Sequence, residues 1–271
     1  MELVVKCGGR AGIDTDAVCR DVAQLAAKGM RIVLVHGGSA DIDELALRLG
    51  VARRGQVAPD GVASRHTDEA MLRVVTMALL GATAPRLVGS LHRHGVPAVG
   101  MTGVLRARRK APQRAVVDGR RMVVRDNHAG TVSTVDTDAL RTVLSAGRVP
   151  VVPPPAVAEN GELLNVNADR AAAAVAAALR ADRLILLTGA PGVQRDPDDE
   201  SSLLRCCPVP RTGPPAAFAA DGMALKLIAA REALLGGVPR VRIADGRTDA
   251  PVRAALDGAG TEVVVERGAE A

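Results

Sequence analysis

Residues 1–39 read MELVVKCGGRAGIDTDAVCRDVAQLAAKGMRIVLVHGGS. Leu3 to Val5 is a short apolar run of the kind a buried strand supplies, and Gly8-Gly9 breaks it. Asp16 to Lys28 then carries Val18, Val22, Leu25 and Ala26 at the spacing of one helix face, before Gly29 stops it. Arg31 to Val35 is a second apolar strand, His36-Gly37-Gly38-Ser39 a second glycine loop, and Asp41 to Leu49 a second helix ended by Gly50. Strand, glycine loop and helix thus follow one another twice in succession. Helix starts placed beside each other in this way gather backbone N–H groups at one sheet edge, where anions bind.

Working outward, Thr67 reads as an N-cap with Asp68 and Glu69 in the first turn of a helix that runs to about Gly81. Thr83 to Gly95 reads as another helix and Val96 to Val99 as a strand. Short strands follow: Val116 to Val124 is a hairpin turning on Asp118-Gly119, which takes the positive φ angles of a tight turn, and Glu159-Asn160-Gly161-Glu162 marks a second hairpin. Thr137 to Gly147 reads as helix, Val149 to Val152 as strand, Asp169 to Arg180 as an alanine-rich helix and Arg183 to Leu187 as a buried strand. Pro197 to Pro215 is rich in Pro, Asp and Ser and reads as irregular. Met223 to Leu235 and Pro251 to Asp257 read as helices, Val238 to Ala244 and Glu262 to Val265 as strands. This alternation predicts an α/β protein: an open, mainly parallel sheet covered by helices on both faces. Its two lobes divide at 1–181 and 182–271.

Hydrophobic residues make up 48% and charged residues 24% of the 271, which excludes a disordered chain. No continuous apolar run reaches the roughly 20 residues of a bilayer span, and no signal peptide precedes Leu3, so the reading is cytoplasmic, with no membrane. The four cysteines lack zinc spacing and read as reduced thiols; no metal site is expected in the protein itself. There is no Trp or Tyr, and Phe218 stands alone as Phe. The core must be built from Val, Leu, Ile, Ala and Met, and aromatic stacking on single-stranded nucleic acid is excluded. The net charge of +5 suits an acidic partner, and a nucleic-acid partner is not expected.

Lys6, at the end of the first strand, points toward the glycine loops, where its ammonium can reach phosphate oxygens. Neither loop has Walker A spacing or a dinucleotide fingerprint. Asn165-Val166-Asn167-Ala168-Asp169 alternates so that Asn165, Asn167 and Asp169 share one side of an extended segment, able to hold a substrate and a lysine. Lys226 is the sole Lys after position 110 and follows Gly222-Met223 at a helix start, where a cation opposes the dipole unless an anion is bound. Thr188-Gly189-Ala190-Pro191-Gly192 lies beyond the carboxyl end of a buried strand, the place where open α/β sheets hold ligands.

Taken in order, Lys6-Cys7-Gly8-Gly9, Val35-His36-Gly37-Gly38, Asn165 to Asp169 and Gly222-Met223-Ala224-Leu225-Lys226 resemble the acetylglutamate kinase branch of the amino-acid-kinase superfamily, over essentially the whole chain. The resemblance implies a three-layer αβα sandwich of the carbamate-kinase-like kind. It also implies phosphoryl transfer from ATP, with Mg²⁺, to a carboxylate. Lys6 and Lys226 would stabilise the transferring group and Asp169 would orient both. Gly8, Gly9, Thr188, Gly192, Gly222 and Met223 would join the lysines in holding the nucleotide. Gly37, Gly38 and Ser39 would hold the reacting carboxylate, Arg65 the substrate's other carboxylate, and Asn165 its α-substituent. A homodimer formed through the amino-terminal lobe is also implied.

Ser39 after His-Gly-Gly, and Ser64-Arg65-His66-Thr67-Asp68, are similar to the kinases that act on 2-aminoadipate or glutamate attached to a small acidic amino-group carrier protein. His66 replaces the phenol common in that segment, and Gly189 an Asp that often follows the Thr. Between Arg106 and Arg125 the basic residues are offset by Asp118 alone; Arg108, Arg109, Lys110, Arg120 and Arg121 form a docking surface suited to an acidic carrier. The same charge run also fits a plain solvated hairpin. The alternatives are an N-acetyl-L-glutamate 5-kinase and, from another class, a non-catalytic nucleotide-binding regulator.

Overall fold

A computed structural model of the chain describes residues 1–9, 12–57, 63–117, 120–215 and 221–266. The Asp118-Gly119 turn and Phe218 lie outside the described residues. An eight-stranded sheet forms the centre, in the order Cys206–Val209, Thr261–Val265, Arg240–Asp245, Arg183–Thr188, Glu2–Cys7, Arg31–His36, Val149–Val152 and Ala98–Gly100. Neighbours run parallel except Thr261–Val265, which is antiparallel to Arg240–Asp245. Strands from residues before 182 form one half of the sheet and strands from later residues the other, meeting where Leu3 to Lys6 pair with Arg183 to Leu186.

Successive side chains on a strand face opposite ways, and the core divides accordingly. Leu3, Val5 and Cys7 pack with Ile32, Leu34, Ile185 and Leu187 under the helices Thr15–Ala27, Ala84–Arg93 and Pro251–Leu256. Val4 packs with Val33, Val35, Leu184 and Leu186 against the helices Thr137–Ser145, Ala168–Leu179 and Asp221–Leu235. Lys6 shares the parity of Val4, so its side chain leaves the sheet toward Ala168–Leu179. Among the described residues the largest fully buried side chains are Leu, Ile and Met.

Small residues let two of these helices come close. Ala172, Ala173 and Ala176 share one buried cluster with Ala229, Ala230 and Ala233, and a Cβ on Gly236 would stand 2.7 Å from that of Ala177. Arg170 closes the contact with a bidentate pair to Glu232, Nε to Oε2 at 2.9 Å and Nη2 to Oε1 at 2.6 Å.

Four expectations need correction. The helices expected to Gly81 and from Thr83 are one rod: Glu69–Thr76 runs through a π-helical segment, Met77–Thr83, into Ala84–Arg93. The N-cap is Asp68, which accepts from Met71 N–H at 2.9 Å; Thr67 is occupied elsewhere. By length and composition this 25-residue rod could cross a membrane, and half of its most apolar stretch is buried inside this fold. The irregular stretch 197–215 supplies the sheet's edge strand, Cys206–Val209, where Pro208 is tolerated because an edge leaves one side of the ladder without partners. The hairpin around 118–119 is longer than expected, Gln113–Val117 against Arg120–Val124, and it joins Gly55–Val57 and Ala63–Arg65 in a small sheet. Leu105–Arg109 belongs to another, with Gly130–Val135, Ala156–Val157 and Leu163–Leu164.

Candidate active site

At the carboxyl ends of the central strands a cleft is lined by Lys6, Gly8, Gly9, Gly37, Gly38, Ser39, Asn167, Asp169, Thr188, Gly189, Gly222 and Lys226, with Ile13, Leu187 and Leu225 as apolar wall. Its polar centre is a triangle. Lys6 Nζ lies 2.9 Å from Asp169 Oδ1, and Lys226 Nζ lies 3.0 Å from Oδ2 and 3.3 Å from Oδ1. All three side chains are at least nearly nine-tenths buried, at 5%, 7% and 11% exposure for Lys6, Asp169 and Lys226. Burial pushes the Asp169 carboxyl up, but the ammoniums of Lys6 and then Lys226 outweigh it and hold it at about 2. The group is an anion at every physiological pH, so it organises cations and has no capacity as a general base.

The local sequence explains how these groups meet. Asn167 is the N-cap of Ala168–Leu179, its side chain accepting from Arg170 N–H at 3.0 Å. Asp169 therefore belongs to the helix's first turn, where a carboxylate suits the dipole, and not to an extended segment shared with Asn165. Lys226 is the sixth residue of Asp221–Leu235, in its second turn. Its position follows from the alanine contact between the helices, and the argument from an opposed dipole at a helix start does not apply.

The glycine loops touch backbone to backbone. A Cβ on Gly9 would overlap the main chain of Gly38 and stand 2.6 Å from Gly37 C. Gly9 O accepts from Ala40 N–H at 2.8 Å and from the Ser39 hydroxyl at 2.9 Å, which ties the second helix's first turn to the first loop. Ser39 is thus a brace between the loops as well as part of the cleft wall. Gly37 N–H donates to Cys7 O at 3.0 Å and continues the ladder, so that donor is already used. On the opposite face of the sheet His36 is buried, which pushes its ring down to about 4 and keeps it neutral; Nδ1–H donates to Gly37 O at 3.0 Å.

Arg65 and Asn165 are not brought onto this wall. Arg65 Nη2 pairs with Asp43 Oδ1 at 2.8 Å, and Asn165 Nδ2 donates to Thr67 Oγ1 at 2.9 Å. Thr67 binds the 126–128 segment as well, its N–H donating to Asn127 Oδ1 at 3.1 Å and its carbonyl accepting from His128 N–H at 2.7 Å. Next to it the buried His66 ring meets Asp126 Oδ1 through Nε2 at 3.0 Å. One joint therefore holds the Arg65 and Asn165 segments together. Asp43, Asp126 and Asn127, which complete it, carry no local sequence signal of their own.

Gly192 packs beneath Thr261 and Leu203, and Met223 packs against the core; neither lines the cleft. Gly189 is open, with nothing within 4 Å of where a Cβ would stand. The basic run is divided between the two small sheets. Arg106 and Arg108 are exposed on Leu105–Arg109 beside Thr131 and Ser133. Arg109 pairs with Glu162 at 3.2 Å and donates through Nε to Asn127 O at 3.2 Å. Lys110 follows the strand and is exposed; Arg121 is exposed on the hairpin, whose second strand opens at Arg120.

The sequence model of the amino acid kinase family matches residues 1–245. The chain is 43% identical to LysW-aminoadipate kinase of Deinococcus radiodurans, over 96% of this chain and 91% of that protein. It is 38% identical to acetylglutamate kinase of Symbiobacterium thermophilum, over 97% of this chain and 91% of that protein. Among solved structures it resembles N-acetylglutamate synthase of Neisseria gonorrhoeae complexed with coenzyme A and N-acetyl-glutamate, at a TM-score of 0.76 and 28% identity; the match covers 98% of this chain and 60% of that one.

Proposed function

The chain belongs to the amino acid kinase family, and we propose that it transfers the γ-phosphoryl group of ATP to the side-chain carboxylate of 2-aminoadipate, or of glutamate, carried through its amino group on a small acidic protein. The observation that carries this reading is the buried Lys6–Asp169–Lys226 triangle in a cleft walled by two glycine loops. A carboxylate with a pKa near about 4.3 is already ionised at neutral pH, so no base is required. The reaction needs in-line positioning and positive charge for the equatorial oxygens, which the two ammoniums supply at fixed positions.

In this reading Gly8, Gly9, Thr188 and Gly222 hold the nucleotide with Lys6 and Lys226, and the second glycine loop holds the accepting carboxylate through Gly38 and Ser39, with Gly37 tying the loop to the strand. Arg65 and Asn165 grip the rest of the substrate. Arg65 would exchange Asp43 for the substrate's carboxylate, a swap between like partners. Among the described residues no three His, Cys, Asp or Glu side chains converge on a metal site, and Asp169 is already committed to two ammoniums. Magnesium would therefore be held largely by the nucleotide's phosphates, whose charge it neutralises when bound.

Residues 1–181 would bind the amino-acid substrate and join a homodimer, and 182–271 would bind ATP, in a cytoplasmic enzyme. Ser39, the Arg65 segment and the similarity to an aminoadipate kinase support the carrier-bound substrate, and Arg108, Lys110 and Arg121 offer the carrier exposed positive charge. The second reading, an N-acetylglutamate 5-kinase, draws on the similarity to acetylglutamate kinase. ADP release measured with carrier-bound aminoadipate and with free N-acetylglutamate separates them. Turnover of the first alone supports the proposal; turnover of the second alone replaces it.

A further inference from the structure

A second cluster of polar side chains lies behind the second glycine loop, around Asp41. Asp41 stands in the first turn of the Ser39–Arg48 helix, where any carboxylate gains a little from the dipole. It does more than that here. Arg86 grips both of its oxygens, Nη1 to Oδ1 at 3.2 Å and Nη2 to Oδ2 at 2.8 Å, and the Thr83 hydroxyl lies 2.6 Å from Oδ2. Hydrogen bonding to Arg86 and Thr83 holds the Asp41 carboxyl below its ordinary range although burial opposes it.

Thr83 and Arg86 lie where the Glu69–Arg93 rod leaves its π-helical segment. The wide turn is a less favourable form of helix that recurs at functional sites, and its last residue here is Thr83, whose hydroxyl is also 3.1 Å from Ala78 O five residues earlier. Leu79 and Thr83, four apart on that segment, form the wall against which Gly38 is seated: a Cβ there would overlap Leu79 and stand 3.0 Å from Thr83 Oγ1. The loop is therefore fixed at Gly37 by His36, at Gly38 by Leu79 and Thr83, and at Asp41 by Thr83 and Arg86.

We propose that Asp41, Thr83 and Arg86 are positioning residues that set Gly37–Ser39 for the accepting carboxylate, and that the π segment serves to bring Thr83 to that place. The inference rests on the kinase reading above, in which this loop faces the acceptor and the Thr188 and Gly222 segments face the nucleotide. A loop misplaced by about 1 Å can lower the rate by orders of magnitude while leaving nucleotide binding intact.

The test compares the wild type with Thr83→Val, Thr83→Ser and Arg86→Gln, using ATP and the carboxylate substrate that the wild type turns over. Thr83→Val and Arg86→Gln are expected to lower kcat/KM for the acceptor by about tenfold or more, with KM for ATP within about twofold, and Thr83→Ser to stay near the wild type. Equal losses toward ATP and acceptor, or a Thr83→Val variant with unchanged acceptor kinetics, would overturn the proposal. If the wild type turns over no carboxylate substrate, the kinase reading fails instead. Amide exchange across residues 37–41 then decides the positioning claim: about tenfold faster exchange in Thr83→Val, with wild-type rates in Thr83→Ser, upholds it, and unchanged rates in both overturn it.

Discussion

Lys6 Nζ sits 2.9 Å from Asp169 Oδ1 although the two residues enter from different layers, one from the central strand and one from the first turn of the helix packed on it. The pair exists because Lys6 shares the strand parity of Val4 and because the alanine contact brings Lys226 to the carboxylate's other oxygen. Asp169→Asn leaves two buried ammoniums with a neutral partner. Loss of one member of a buried ion pair costs about 3–5 kcal/mol, so urea denaturation should show a fall of that order, together with loss of phosphoryl transfer. An Asn variant as stable as the wild type would contradict the geometry.

The pH dependence of stability should show two windows. His36 is held near 4 in the fold against an ordinary 6.5, so the unfolded chain takes up its proton first and stability falls as pH drops from about 6.5 to 4. At about 1.4 kcal/mol per pH unit this amounts to roughly 3 kcal/mol. Asp169, held near 2 against 3.8, contributes stability that is present above 3.8 and lost as pH falls through 2, roughly 2 kcal/mol. Urea titrations at pH 7.5, 5.5 and 4 should show the upper window in the wild type and its absence in His36→Gln. An identical slope in both proteins would remove His36 as its source.

Arg180 closes the Ala168–Leu179 helix with φ at +55°, the left-handed region that favours glycine. Arg180→Gly should stabilise the protein by up to about 1 kcal/mol, read as a rise in melting temperature of a few degrees. A lower melting temperature would show that the Arg side chain outweighs its backbone strain.

Three of the four thiols are out of reach. Cys7, Cys19 and Cys207 are buried and Cys206 is exposed. Burial pushes Cys7 up to about 12 and Cys19 to about 11, so neither offers a thiolate at neutral pH. An aromatic disulfide reagent should titrate one thiol in the native protein and all four after denaturation. Two or more fast native thiols would count against the packing around Cys7 and Cys19.

Features that depend on local pattern were legible before the fold was known. The alternation around Lys6, the paired glycines and the alanine-rich helix each follow from a short stretch of chain, and the main sheet follows from them. The meeting of Lys6, Asp169 and Lys226 was implied by the resemblance of the ordered motifs, since the local arguments for Asp169 and Lys226 placed them on an extended segment and at a helix start. Features that need a distant partner were not. Nothing near Asn165 announces that its amide goes to Thr67, ninety-eight residues earlier, or that Arg65 meets Asp43. Pro208 disguised an edge strand, because a residue without an N–H is a poor strand former everywhere except an edge. Gly81 suggested a break in what is one rod, since tertiary packing on both sides overrides the propensity of a single glycine.

The central claim is that the triangle transfers a phosphoryl group to a carboxylate, and hydroxylamine trapping of the acyl phosphate tests it most directly. With ATP, magnesium and carrier-bound aminoadipate, the wild type should accumulate hydroxamate, while Lys226→Ala should form it at least about 10²-fold more slowly with its fold intact. Undiminished hydroxamate formation by Lys226→Ala, or none by the wild type with any of carrier-bound aminoadipate, carrier-bound glutamate and N-acetylglutamate, would contradict it.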